Sequence, residues 1–125
     1  MRLEVTTGTP QMYAAAAAGP AIEANDSSAI NKYVEFCETA LQKAYAEAAD
    51  VFSLQSIAPL EKQSDNFSVI GDILRALLTF MDTHNHPETV RIICYNEETA
   101  RLYKIIYNFW FAENKAERLD DNSWD

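Results

Sequence analysis

The first candidate functional residues form a polar segment just before an apolar helical pattern. Ser64, Asp65 and Asn66 stand at the predicted start of this helix. A helix N-terminus presents unpaired N–H donors and a partial positive charge, which favour anions. The segment is therefore a candidate anion site, and ordinary capping by Ser64 or Asp65 is the structural alternative.

A second candidate site follows an apolar run. Tyr95 and Asn96 come directly after Val90 to Cys94, which has the composition of a buried strand. Open parallel sheets bind ligands beside the carboxyl ends of their strands, where an aromatic ring and an amide suit a ribose or a base. The alternative is an Asn96 cap on the next helix beside a half-buried Tyr95.

Metal binding and thiol catalysis have little support in the sequence. His84 and His86 lie in one turn between acidic residues, but two histidines there supply too few fixed ligands for a closed tetrahedral site. Cys37 and Cys94 lie within apolar periodic segments and have no sequence neighbour that would lower a thiol pKa. We expect no metal site, no catalytic residue, and two buried thiols in a reducing compartment.

The composition limits the classes of protein. The chain has 125 residues, 48% of them hydrophobic, and a formal net charge of -9. This predicts one packed domain whose surface repels phosphate backbones, so nucleic-acid binding is not expected. No apolar run reaches the ~18 residues of a membrane span, and the first residues lack the order of a signal peptide. We therefore expect a cytoplasmic protein without membrane contact.

Strands and helices are predicted to alternate along the chain after the opening segment. Residues 2–7 favour a short strand, whereas the alanines at 14–18 suit either a helix or a strand between helical layers. A helix capped within 25–28 and ending near Asp50 follows, and then come a strand to Pro59, a helix through Met81, a strand over 90–95 and a last helix. This order predicts a three-layer α/β/α fold with a mostly parallel sheet over residues 1–111. Residues 112–125 are expected to form an acidic, partly ordered tail.

The last helix is unusually aromatic, and one helix face can bury only part of such a set. The surplus predicts an exposed apolar patch and therefore a homodimer or another protein partner. The aromatic residues concerned are Tyr103, Tyr107, Phe109, Trp110 and Phe111.

The order of these segments resembles the C-terminal two-thirds of a macro domain, the α/β module associated with ADP-ribose. The resemblance covers roughly residues 5–111 and is carried by weak motifs. They are Ala18-Gly19-Pro20, Leu41 with Ala44 and Ala48, Ser56-Ile57-Ala58-Pro59, the helix around Ile73, Leu74 and Leu77, Val90 to Tyr95, and Tyr103. The resemblance implies that the family's second phosphate loop corresponds to residues 63–67, which adds Phe67 to Ser64 and Asn66 as a candidate ligand-binding residue.

Departures from the family pattern bear on activity. The chain lacks the Asn-rich and Gly-rich segments that carry the catalytic parts elsewhere in the family, and Asp65 stands where the phosphate loop has Gly. A carboxylate there opposes a diphosphate. The expected function is a non-catalytic macro-like module that binds ADP-ribose or a related nucleotide weakly, without a cofactor. The alternative is a small acidic interaction protein, inhibitor-like or antitoxin-like, with no small-molecule ligand.

Overall fold

Helices and strands alternate along residues 2–111, the part of the chain that the computed structural model describes. The α/β class predicted from the sequence is confirmed, and the sheet, predicted to be mostly parallel, is parallel throughout its three strands. The predicted tail, residues 112–125, lies outside the described residues. The elements are β1 (Arg2–Thr7), α1 (Pro10–Ala15), α2 (Ser27–Ala46), β2 (Val51–Gln55), α3 (Gln63–Thr83), β3 (Thr89–Cys94) and α4 (Glu97–Phe111).

The sheet has the strand order β1-β3-β2, with β3 at its centre. Leu3 pairs with Val90 on one side of the sheet, and Phe52 pairs with Val90 on the other. A parallel bridge between Ala17 and Leu54 extends the sheet beyond β2. The alanine segment thus adopts both conformations that its sequence allows, a short helix to Ala15 and then an extended residue beside β2.

One face of the sheet carries the main core. Strand residues alternate, and the inward set is apolar and buried, as period-two patterning requires. The helices α2, α3 and α4 pack together on this face, with α3 in contact with both α2 and α4. The inward strand residues are Leu3, Val5, Phe52, Leu54, Val90, Ile92 and Cys94.

The opposite face is covered by much less helix than three full layers would provide. Ile93 points to this face and is buried, with Gly8 and Met12 beside it at the start of α1. The apolar run from Val90 to Cys94 predicted a buried strand, and Ile93 is buried in it, but on this face and outside the main core that contains Ile92. Toward the start of the strands, Glu4 accepts a hydrogen bond of 2.6 Å from Arg91 Nε. The second helical layer consists of the six-residue α1 alone within the described chain.

Two helix boundaries differ from their sequence predictions. The carboxylate of Asp26 caps α2 as expected, but the helix ends at Ala46 because Ala48 turns into the left-handed region at φ 52°. Helix α3 begins at Gln63, so Ser64 and Asp65 lie inside its first turn. The prediction that Ser64 or Asp65 caps α3 is wrong, since the N-cap residue is Lys62 and it makes no side-chain capping bond.

Candidate functional site

A cleft opens at the carboxyl end of the sheet, between the residues that follow Ala17 and those that follow β2. Its volume is about 310 Å³, and residues 19–23 and 55–58, together with Tyr13 and Tyr33, line it. This is the edge at which parallel sheets bind ligands, because several chain segments leave the strands there and diverge. The size lies at the lower end of the range for small-molecule pockets.

Three side chains of the cleft are held by hydrogen bonds to backbone carbonyls. The Tyr33 hydroxyl donates to the Gln55 carbonyl at 3.1 Å, and the Tyr13 hydroxyl donates to the Ser56 carbonyl at 3.4 Å. Gln55 Nε2 donates to the Tyr13 carbonyl at 2.8 Å. These bonds fix the rings and commit the single proton of each hydroxyl, so the tyrosine oxygens face a ligand as hydrogen-bond acceptors.

The charge of the cleft is set by one carboxylate. Among the described residues, none that lines the cleft is Lys or Arg, while Glu23 stands exposed at its rim. Burial raises the pKa of Tyr33, with smaller contributions from Tyr103 and Cys37, and burial likewise raises the pKa of Tyr13. Both hydroxyls are therefore neutral at physiological pH, and Glu23 is the residue that gives the cleft a negative charge.

Gly19 allows the chain to pass close to the Tyr33 ring. A Cβ atom at this position would lie 2.6 Å from Tyr33 Cε2 and 3.0 Å from Phe36 Cδ2. Tyr33 is 2% exposed and part of the core, so its ring cannot simply move aside. Gly19 thus has a packing role at one wall of the cleft.

The other wall is tied to the sheet and to α4. The Ser56 amide donates to the Ile93 carbonyl at 3.0 Å, and the Ile57 amide donates to the Tyr103 hydroxyl at 2.9 Å. The Ser56 hydroxyl lies by the Cys94 thiol. These contacts hold residues 55–58 in place on a rigid support, as a binding site requires.

The predicted anion segment is occupied by contacts within the chain. Asn66 is 1% exposed, and its Oδ1 accepts from the Leu60 amide at 2.7 Å. Its Nδ2 donates to the Leu60 carbonyl at 3.1 Å and to Gln63 Oε1 at 2.7 Å. Phe67 packs edge-on against Phe109 with the ring centroids 5.5 Å apart, whereas Ser64 is exposed. Asn66 therefore stabilises the loop before α3.

Tyr95 and Asn96 have separate roles. Asn96 Oδ1 accepts from the Thr99 amide at 2.8 Å, which is the predicted capping interaction at the start of α4. Tyr95 is 48% exposed and meets Tyr13 edge-on, with the ring centroids 6.0 Å apart. Of the candidate ligand-binding residues Ser64, Asn66, Phe67, Tyr95 and Asn96, Tyr95 is the one in ring contact with a residue of the cleft.

The histidines and cysteines lie elsewhere. His84 stacks on Phe80 at a centroid distance of 3.8 Å and meets Tyr45 edge-on at 4.7 Å. Both cysteines are buried, as predicted. Burial raises the pKa of Cys37 to about 12 and that of Cys94 to about 11, so both thiols stay protonated. Over residues 2–111, no group of three or more His, Cys, Asp or Glu side chains is placed to hold a metal ion.

Helix α4 buries part of its aromatic set and exposes the rest. Tyr103 and Tyr107 are in the core, whereas Phe109 is 66% exposed and Trp110 is 47% exposed. The predicted surplus of surface aromatics is confirmed for these two residues. Trp110 Nε1 would lie 3.0 Å from a Cβ at Gly71, so the indole rests directly on the α3 backbone. Phe109 is thus the more accessible ring.

Sequence reasoning missed most of the cleft. Gly19-Pro20 and Ser56-Ile57-Ala58-Pro59 were the available signals, because each ends or follows an extended segment at the sheet edge where ligands bind.

None of the helices within residues 2–111 is long and apolar enough to cross a membrane. The chain matches no family model and no curated protein.

Proposed function

We propose that this chain is a non-catalytic, macro-like binding module whose cleft takes the nucleoside end of an ADP-ribose-type nucleotide with weak affinity. The observation that carries the proposal is the cleft of about 310 Å³ at the carboxyl end of the sheet, walled by Tyr13 and Tyr33. We place the module in the cytoplasm, as its two reduced, buried thiols favour.

The polar groups of the cleft suit a nucleoside. Adenosine donates hydrogen bonds through its exocyclic amino group and its ribose hydroxyls, and the cleft offers acceptors at Tyr13, Tyr33 and Glu23. The rings of Tyr13 and Tyr95 add aromatic surface on which a base can stack. A diphosphate offers acceptors alone, so we place it outside the cleft and expect it to contribute little affinity.

Calorimetric titration of the full chain with ADP-ribose and with adenosine tests this proposal. Ala58 is an exposed cleft residue, so Ala58→Phe fills the cleft and leaves the core intact. Ala46→Phe makes the same chemical change at an exposed position of α2 and serves as the control. We expect binding by the wild type and the control, and loss of binding in Ala58→Phe. No heat with either ligand, or equal binding by both variants, contradicts the proposal.

A second candidate function is protein association through α4, which the exposure of Phe109 and Trp110 favours. An apolar patch of this kind is most often buried in a two-fold dimer. The alternative is that the acidic chain meets a basic partner, with this patch inside the interface. The salt dependence of association distinguishes the homodimer from the complex with a basic partner. Salt strengthens the homodimer because it screens repulsion between two chains of charge -9, whereas it weakens attraction to a basic surface.

Sedimentation velocity at tens of micromolar protein tests self-association. We expect a dimer for the wild type and a monomer for Phe109→Ser. Tyr45→Ser removes an aromatic side chain that is 38% exposed on α2, and this control should remain a dimer. A monomeric wild type at both low and high salt would exclude the homodimer.

A further inference from the structure

We infer that the cleft selects its ligand by charge, accepting an uncharged nucleoside in preference to its phosphorylated forms, and that Glu23 is the residue that sets this selectivity. The inference rests on the proposed nucleoside binding and adds the discrimination between ligands that share one base and one ribose. It follows from the hydrogen bonds that the polar groups of the cleft already make and from the charge that the cleft carries.

The tyrosine hydroxyls have no proton left for a phosphate. Each carries a single proton, which Tyr33 gives to the Gln55 carbonyl at 3.1 Å and Tyr13 gives to the Ser56 carbonyl at 3.4 Å. A phosphate oxygen accepts hydrogen bonds and cannot donate them, so it would meet two further acceptors. A ribose hydroxyl or an exocyclic amino group donates to the same lone pairs and is therefore accepted.

Two backbone amides of the second wall are committed in the same way. The amides of Ser56 and Ile57 donate to the Ile93 carbonyl and the Tyr103 hydroxyl, so neither is a free donor for an anion. Phosphate sites in parallel α/β sheets depend on free backbone N–H groups at this edge. Here these two donors hold the wall to the sheet and to α4.

Glu23 supplies the charge that opposes phosphate. It lines the cleft, and none of the other lining residues within the described chain carries a positive side chain. Glu23 is exposed, so water and salt screen its repulsion of a ligand phosphate. Exposed charge pairs contribute a few tenths of a kcal/mol to about 1 kcal/mol, which corresponds to a change in affinity of about two- to fivefold.

The experiment measures the dissociation constants of adenosine and AMP for the full chain and for Glu23→Gln by NMR titration. We expect the wild type to bind adenosine more tightly than AMP. In Glu23→Gln, the ratio of the AMP dissociation constant to the adenosine dissociation constant should fall by about two- to fivefold, because AMP binds more tightly. Glu47→Gln makes the same charge change at the other end of α2, roughly 30 Å along the helix, and should leave the ratio unchanged.

The outcomes separate this inference from the proposed function. If AMP binds the wild type as tightly as adenosine, or if Glu23→Gln leaves the ratio unchanged, the charge selectivity is wrong and nucleoside binding stands. If Glu47→Gln narrows the ratio as much as Glu23→Gln, the net charge of the chain sets the selectivity and Glu23 does not. If neither ligand binds any of the proteins, the proposed function fails, and the selectivity fails with it.

Discussion

The Tyr103 hydroxyl accepts a hydrogen bond from the Ile57 amide across 2.9 Å, and this bond joins α4 to the backbone that leaves β2. Tyr103 is 1% exposed, and burial raises its pKa, so the hydroxyl stays neutral at physiological pH. The helix that carries the surface aromatics thus also supports one wall of the cleft. Its Tyr103 is a structural residue of the site, although it does not line the cleft.

Tyr103→Phe removes the acceptor and leaves the buried Ile57 amide without its partner. We expect the free energy of unfolding to fall by about 1–3 kcal/mol, the usual cost of an unsatisfied buried donor. Urea unfolding of the wild type and the variant measures the difference. Tyr45→Phe, at a ring that is 38% exposed, should change stability by less than about 0.5 kcal/mol. Equal stability of wild type and Tyr103→Phe would show that the bond carries no net energy.

The end of α2 offers a stabilising substitution. The Ala48 amide donates to the Tyr45 carbonyl and the Ala49 amide donates to the Ala44 carbonyl, which is the bonding pattern of a helix ending on a left-handed residue. Ala48 occupies that position at φ 52°, where a Cβ atom is unfavourable. We expect Ala48→Gly to stabilise the protein by about 1 kcal/mol in thermal unfolding.

The matched control lies two residues earlier. Ala46 is the last residue of α2 and is exposed. Ala46→Gly should destabilise the protein, by up to about 1 kcal/mol, because glycine is a poor helix former. If both glycine variants lose stability, the left-handed conformation at Ala48 is not the one adopted in solution.

The main elements could be predicted because their signals are local. The period of α2, the apolar run of β3 and the Asn96 cap each depend on residues close in sequence. The start of α3 could not be predicted in this way, because Asn66 bonds back to Leu60 and the helix begins before the expected caps. Strand order and the side on which each helix packs depend on contacts between distant residues, and these place Ile93 on the thinly covered face.

The cleft was harder to predict for the same reason. Tyr13 and Tyr33 are far from Gln55 and Ser56 in sequence, yet their hydroxyls bond to the carbonyls of those residues. Residue types at the sheet edge suggested Tyr95 and Asn96, but the contact of Tyr95 with Tyr13 joins residues that are far apart in sequence. The composition indicated an acidic surface, and the location of Glu23 at the cleft needed the structure.

Asn66 provides a test of the loop before α3. Asn66→Ala removes three hydrogen bonds to residues 60 and 63 and leaves the buried backbone of Leu60 unpaired. We expect a loss of about 2–4 kcal/mol in chemical unfolding, above the cost of a typical surface change. Ser64→Ala, at an exposed position without a capping role, should stay within about 0.5 kcal/mol of the wild type. A large effect of Ser64→Ala would restore the capping role that the structure excludes.

The buried thiols predict how stability depends on alkaline pH. In the folded chain burial raises the pKa of Cys37 from 9.0 to about 12 and that of Cys94 from 9.0 to about 11. The unfolded chain therefore loses thiol protons first as the pH rises, and linkage requires stability to fall. The decline should begin near pH 9.0, and ionisation of the unfolded tyrosines should add to it at higher pH.

Urea unfolding at a series of pH values measures this decline. A Cys37→Ala and Cys94→Ala double variant has a lower starting stability but should show a smaller slope near pH 9. The slope is the readout, because cavity formation changes the stability at every pH by a similar amount. The same steep slope in the double variant would mean that the thiols do not cause the decline.

NMR mapping of adenosine on the isotopically labelled full chain shows whether the cleft beside Tyr13 and Tyr33 binds a nucleoside. We expect saturable shifts at the amides of Gly19, Gln55 and Ala58, which line the cleft, and none at Ala46, at the far end of α2. The Ala58→Phe variant should show no saturable shifts. Saturation with shifts confined to α4, or no shifts at any adenosine concentration up to its solubility limit, would mean that the cleft does not bind a nucleoside.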